Sequence, residues 1–254
     1  MCSSDLLFVV LHFPRFDKSV GRLNAAELDV FVGPDYVITL PNEPIQPLEY
    51  LFERCRTRDD LREQLFSKGP GYLLYKIVDD CVDASFPMLR KMGNKLEHLE
   101  EDIFEGGRSR EVVRDISNVK QEIINFRKVV RPQRAALRDL ERTKRYVPED
   151  LEIYFDDIND ASERVWDMLE NYKEVVDALE STNESVLSHE LNDTFRILTA
   201  ISVVVLPLTL IASIWGMNSK VPGEETTIGF WAVIALMVVA LVGMVWTFRK
   251  RGWL

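Results

Sequence analysis

Cysteine and histidine are scarce in these 254 residues, three of each. Cys2, Cys55 and Cys81 lie far apart with no CxxC pair, so neither a disulfide framework nor a thiolate metal site is indicated. His12, His98 and His189 show no paired ligand spacing and receive no chemistry. Positive charge is also short: 31 basic residues stand against 41 acidic ones, a net charge of −10. A nucleic-acid partner needs a basic surface, so that class is set aside. No phosphate loop, nucleophile motif or metal triad is present, and no enzyme is indicated. The N-terminus lacks the basic stretch and small-residue cleavage site of a signal peptide. The first 190 residues contain no long apolar run.

Two such runs follow. Ile197 to Trp215 is 19 residues without a charge, and Ile228 to Phe248 is 21 more. Each is long enough to cross a hydrocarbon core of roughly 30 Å as a helix. Neither a purely soluble protein nor a many-helix transporter fits. The cluster Arg249-Lys250-Arg251 after the second run marks its cytoplasmic side. Two spans then return the N-terminal region to the cytoplasm, so both termini are expected there. The 12-residue connection from Gly216 to Thr227, with Lys220, Glu224 and Glu225, faces outside and is too short to fold alone. The spans are expected to form a hairpin.

The remainder has two textures. Leu6 to Leu11, Val30 to Val32 and Tyr36 to Leu40 are apolar, β-branched runs around a Gly33-Pro34-Asp35 turn, which predicts a hairpin or meander. From about Leu48 the pattern becomes helical. Val82, Leu89, Met92, Leu96, Leu99 and Ile103 share one helical face. Val112, Ile116, Val119, Ile123, Phe126 and Val130 share another. Gly106-Gly107 separates the two, predicting an antiparallel pair. Pro132 is expected to kink or end the second helix, and Pro148 precedes another helix start.

From Leu151 to Trp215 there is no glycine and one proline, Pro207. As one helix those 65 residues would span roughly 97 Å at about 1.5 Å per residue. That is the length of a stalk running from a cytoplasmic domain into the bilayer. One stripe is apolar: Val165, Leu169, Tyr172, Val176, Leu179 and Val186. The other is small or polar: Asn171, Glu174, Ala178, Ser181, Ser185, Ser188 and Asn192. Carried into the span, it continues as Phe195, Thr199, Ser202, Leu206, Thr209 and Ser213. Hydroxyls on one face in lipid serve helix packing or line a water-filled path. A two-span chain cannot enclose a pore, so a pore requires a homo-oligomer with this face toward the axis.

Charge is concentrated on the same helix. From Glu149 to Asp193 there are 15 acids and two bases, Arg164 and Lys173. Around an oligomer this excess attracts divalent cations. A solvated helix face accounts for it equally well.

The run Leu191 to Thr199, then Leu206-Pro207-Leu208-Thr209-Leu210-Ile211-Ala212, then Ile214-Trp215-Gly216-Met217-Asn218, resembles the signature region of the CorA divalent-cation transporters. The Gly-Met-Asn tripeptide closes the first of two C-terminal spans, with a basic tail beyond the second. Leu99-Glu100-Glu101-Asp102-Ile103 resembles the family's acidic helical hairpin, and Arg127 to Pro132 its Arg-x-x-x-x-Pro stretch. The resemblance runs from about Leu6 to Leu254.

It implies an α+β cytoplasmic domain, with a small sheet and a helical hairpin, and a very long stalk helix entering the first of two transmembrane helices. The expected divisions are 1–148 for the cytoplasmic domain, 149–194 for the stalk and 195–215 for the pore-lining span. The external loop is then 216–227, the second span 228–248 and the basic tail 249–254. A funnel-shaped homopentamer in the cell (inner or plasma) membrane would conduct Mg2+, with Co2+ and Ni2+ as further cargo. By resemblance Gly216, Met217 and Asn218 form the outer selectivity ring. Asn192 supplies a second amide ring; Phe195, Leu198 and Leu206 form the hydrophobic gate; Thr199, Ser202, Thr209 and Ser213 line the pore. Glu224 and Glu225 either concentrate cations or merely solubilise the loop.

Three departures stand out. Trp215 occupies a position where tyrosine is common in the family. Family members close when cytoplasmic Mg2+ binds between subunits through acidic residues. Asp17 matches one partner, but the other falls on Ser181, which has no carboxylate; Asp177, Glu180 and Glu184 lie within one turn of it. Family members also carry more sheet and helix before the strand at Leu6, so a trimmed subfamily or a fragment is expected. A zinc-transporting relative shares Gly-Met-Asn and is the alternative within the fold. A non-conducting membrane-anchored scaffold is the alternative outside it.

Overall fold

A computed structural model describes residues 6–17, 22–105, 109–143, 151–216 and 227–252. Its contacts divide the chain into two bodies, 1–183 and 184–254.

The first body opens with an antiparallel meander, β1 (Leu7–Asp17), β2 (Arg22–Val32) and β3 (Val37–Pro41), in the order β1-β2-β3. Both long strands reach well beyond their apolar runs. Register explains why. Leu7 pairs with Val32, Val9 with Val30, Leu11 with Leu28 and Phe13 with Ala26. These rows form the inner face, where Leu11, Leu28 and Val30 are fully buried. The outer rows are Phe8 opposite Phe31, stacked at 4.6 Å, and His12 opposite Glu27, in contact at 3.2 Å. Apolar residues on both faces of β1 hide the alternation that marks a half-buried strand.

The turn before β3 lays the Tyr36 ring over Gly33. A Cβ built on Gly33 would lie 2.4 Å from the Tyr36 ring, and the Gly33 amide donates to the Tyr36 carbonyl at 2.9 Å. The helices α1 (Gln46–Thr57), α2 (Asp59–Phe66) and α3 (Pro70–Asp83) follow and contribute buried residues to the same core as the inner face. Free Cys55 and Cys81 are buried there, and burial pushes the Cys81 thiol up to about 12.

The long helices are α4 (Ser85–Phe104), α5 (Ser109–Glu141) and α6 (Glu152–Trp215). Leu89, Met92, Leu96, Leu99 and Ile103 on α4 are buried, as are Val112, Ile116, Val119, Ile123, Phe126 and Val130 on α5. On α6 Val165, Leu169, Val176 and Leu179 are buried, while Tyr172 and Val186 are half-buried. Steps of three and four on all three helices are those of coiled-coil seams. A Cβ on Gly93 of α4 would meet the Tyr172 hydroxyl at 2.8 Å, so glycine leaves room on α4 for the end of the Tyr172 side chain from α6.

Pro132 does not end α5, which continues to Glu141. An interior proline costs about 3 kcal/mol. Beyond it Leu137 and Leu140 enter the same core as Leu11 and Phe13, and two buried leucines contribute roughly 3–6 kcal/mol. Burial outweighs the lost hydrogen bond.

The second body holds the C-terminal part of α6 and α7 (Thr227–Lys250). Both helices are long and apolar enough to cross a membrane. No described residue of α7 is buried. Exposed Ile228, Phe230, Trp231, Val239, Val242 and Trp246 make an all-round apolar surface, the expected state of a helix solvated by lipid.

Candidate ion pathway

The residues expected along a pore fall on one continuous helix. Asn192, Phe195, Thr199, Ser202, Leu206, Thr209 and Ser213 follow one another at steps of three and four along α6, Gly216 takes the next step just past its end, and all are exposed in the single chain. Leu198 lies on the adjoining track, also exposed. A strict seven-residue repeat drifts only about 20° per heptad on a straight helix, so the stripe remains one face.

Its hydroxyls have a defined polarity. Thr199 donates to the Phe195 carbonyl at 2.7 Å, Ser202 to Leu198 at 2.9 Å and Thr209 to Val205 at 2.9 Å. With each proton committed to the backbone, every one of these oxygens presents only lone pairs outward. Such a wall accepts hydrogen bonds from the waters around a cation.

The helix ends at Trp215, and the Gly216 amide donates to the Ala212 carbonyl at 2.9 Å. Met217, Asn218, Glu224 and Glu225 lie outside the described residues, so the filter is described only to its first member.

The acidic stretch of α6 meets a partner that periodicity did not reveal. Lys120 on α5 pairs with Asp177 at 2.9 Å and Glu180 at 2.6 Å; Arg127 pairs with Glu170 at 2.5 Å; Arg134 and Arg138 pair with Glu163. The Trp166 ring meets both guanidinium groups, 5.1 Å from Arg127 and 4.9 Å from Arg134. Four of the acids counted as a cation-attracting surface are thus neutralised within the chain. The signal was available: basic residues 120, 127 and 134 and acidic residues 177, 170 and 163 both step by seven, in opposite directions.

These pairs shift titration. Hydrogen bonds from Lys120 and then Lys173 hold the Asp177 carboxyl below its usual range, and the same contacts, Glu180 first, hold Lys120 above its own. Burial alone would push Glu163 up, but hydrogen bonds from Arg134 and Arg138 outweigh it and its carboxyl is lowered.

Of the expected regulatory carboxylates, Asp17 is half-buried at the end of β1 and engaged in a contact. Asp177 and Glu180 are held by Lys120, and Glu184 is exposed. Ser181 donates its hydroxyl to the Asp177 carbonyl at 3.1 Å. Among the described residues of one chain, no three His, Cys, Asp or Glu side chains converge to hold a metal ion.

Comparison with known proteins decides the family: the model of the CorA-like Mg2+ transporter protein family matches residues 2–250. The chain belongs to that family. It is 29% identical over 252 residues to the cobalt/magnesium transport protein CorA of Thermotoga maritima, covering 98% of this chain and 71% of that one. The complete structure of the CorA magnesium transporter from Methanocaldococcus jannaschii superposes with a TM-score of 0.86 at 25% identity, over 99% of this chain and 78% of that one. The zinc transport protein ZntB of Photorhabdus laumondii is 23% identical over 231 residues, 89% of this chain and 67% of that one. This CorA-like chain is therefore a membrane transporter of divalent cations and not an enzyme.

Proposed function

We propose that the chain assembles as a homopentamer in the cell membrane, with both termini cytoplasmic, and conducts hydrated Mg2+ along the exposed polar stripe of α6. The observation carrying this reading is that stripe: small, amide and hydroxyl residues from Asn192 to Gly216, interrupted by Phe195 and Leu206, share one exposed face, with the protons of Thr199, Ser202 and Thr209 turned toward the backbone. The membrane spans are 195–215 and 228–248, the connecting loop 216–227 is external and the tail 249–254 is cytoplasmic. The domain 1–148 and the stalk 149–194 lie on the cytoplasmic side.

Mg2+ dehydrates reluctantly and keeps several waters. Oxygen acceptors that bind those waters select the hydrated ion without holding it so tightly that conduction stops. Gly216, Met217 and Asn218 form the outer ring and Asn192 the inner one. Phe195, Leu198 and Leu206 gate the path by dewetting, and Ser213 adds a hydroxyl below the filter. Glu224 and Glu225 raise the local cation concentration at the outer mouth. Mg2+ is both cargo and regulatory ligand, sensed between subunits by Asp17 with Asp177, Glu180 and Glu184.

Similarity to a zinc transport protein supports a second reading, Zn2+ as cargo through the same path. Influx into proteoliposomes, followed separately for Mg2+ and Zn2+, separates the two. Mg2+ influx that Asn218→Ala abolishes in an intact oligomer is the expected result. Normal Mg2+ influx in that variant overturns the filter assignment, and Zn2+ influx without Mg2+ influx favours the second reading.

A further inference from the structure

The three rungs between α5 and α6 are not chemically equal. At two of them α5 supplies arginine, whose planar guanidinium bonds a carboxylate and stacks over a ring. Arg127 and Arg134 do both, on Glu170 and Glu163 and on the Trp166 ring. Their side chains are only 23% and 21% exposed. The third rung is a lysine. Its ammonium is a compact, strongly hydrated point charge on a flexible stem, with no fixed geometry to lose. Lys120, Asp177 and Glu180 are 34%, 39% and 47% exposed, so solvent ions reach all three. Lys173 places a second ammonium 3.1 Å from Asp177.

We infer that Lys120 is a tethered cation that competes with soluble divalent cations for the Asp177 and Glu180 carboxylates, and so sets the concentration at which they respond. The inference rests on the reading of those carboxylates as part of the regulatory set. A divalent ion arriving at Asp177 and Glu180 must displace the Lys120 ammonium, which stays protonated and swings into water. One rung of the seam then opens while the two arginine rungs hold. Exposed pairs of this kind are weak, which is what exchange requires. A buried pair would be a permanent lock.

The test uses the full-length oligomer in detergent, reading the Mg2+ concentration that gives half the maximal rise in unfolding temperature. Lys120→Gln keeps the length and removes the charge, and is expected to lower that concentration about threefold. Lys120→Arg keeps the charge and adds a planar fork that holds the carboxylates more firmly, and is expected to give a midpoint at or above that of wild type. Lys95→Gln, which removes the α4–α5 pair with Glu122, leaves it unchanged. The double variant Asp177→Asn with Glu180→Gln abolishes the gain of Lys120→Gln. An unchanged Lys120→Gln midpoint, with the double variant still weakening the Mg2+ response, overturns the competition and leaves the regulatory reading standing. So does a Lys120→Arg midpoint equal to that of Lys120→Gln. A double variant that changes nothing in either background removes the regulatory reading, and the inference with it.

Discussion

Lys120 on α5 stands 2.9 Å from Asp177 on α6, and the same offset recurs at Arg127 with Glu170 and at Arg134 with Glu163. Advancing seven residues on one helix means retreating seven on the other. This is the register of an antiparallel coiled coil, written in charge as well as in apolar residues. It separates the acids of α6 into those spent on α5 and those, such as Glu174 and Glu184, left facing solvent.

The first rung has a pH dependence whose sign follows from Asp177. Its carboxyl is held below its usual value when folded, by Lys120 first and Lys173 second. The stabilisation is therefore fully present above the unfolded value near about 3.9 and lost as pH falls through the lower folded value. With the group more than a third exposed, the contribution is below about 1 kcal/mol. Wild type and Asp177→Asn, compared by thermal unfolding from pH 7 to pH 3, are expected to differ by a constant amount until about pH 4 and to converge below it. Convergence near neutrality instead would contradict the assignment.

Gly93 makes a packing prediction. Its Cβ would stand 2.8 Å from the Tyr172 hydroxyl but 3.4 Å from the ring carbon bearing it. Gly93→Ala is expected to cost about 1–3 kcal/mol through overpacking. Tyr172→Phe removes the close atom, so the same alanine should cost clearly less in that background. Equal costs in both would mean that the helices part rather than the hydroxyl moving.

The hydroxyl wall is tested by isosteric replacement. Thr199→Val keeps the volume and removes the acceptor, while Thr199→Ser keeps the oxygen that donates to the Phe195 carbonyl. Mg2+ influx is expected to fall several-fold in the first and to survive in the second. If both variants conduct like wild type, Thr199 faces a neighbouring helix.

Leu206 is exposed on the same stripe, one position before Pro207. On the proposed reading of Leu206 as a gate residue, replacing it with asparagine wets the constriction and should raise basal conductance in planar bilayers. An unchanged open probability in Leu206→Asn would show that Leu206 faces a neighbouring helix instead.

Much of this chain was legible in its residues because the relevant patterns are local. Two charge-free runs define membrane helices by length, since an unpaired backbone is costly in lipid. The absence of glycine from Leu151 to Trp215 predicted α6 as a single helix, and the structure has it from Glu152 to Trp215. The meander was visible only where both strands were apolar. Arg15 to Asp17 and Arg22 to Asn24 join it by cross-strand pairing, a non-local cause. Of the two outcomes expected at Pro132, a kink or an end, the end is excluded for a related reason. Local chemistry ends a helix there, but the burial of Leu137 and Leu140 beyond it continues the helix.

The sequence by itself determined the element types, the two spans and the polar face of α6, because each depends on residues within a few turns of one another. The tertiary structure alone decided which charges remain. Fifteen acids on one segment look like a single negative surface until α5 is laid beside them. Coulomb interactions at 2.5–2.9 Å then pair off Glu170, Asp177 and Glu180 with residues some 40 to 60 positions away in the chain. Which acid faces a cation and which faces lysine or arginine is a property of distance in space, and no spacing along one helix contains it.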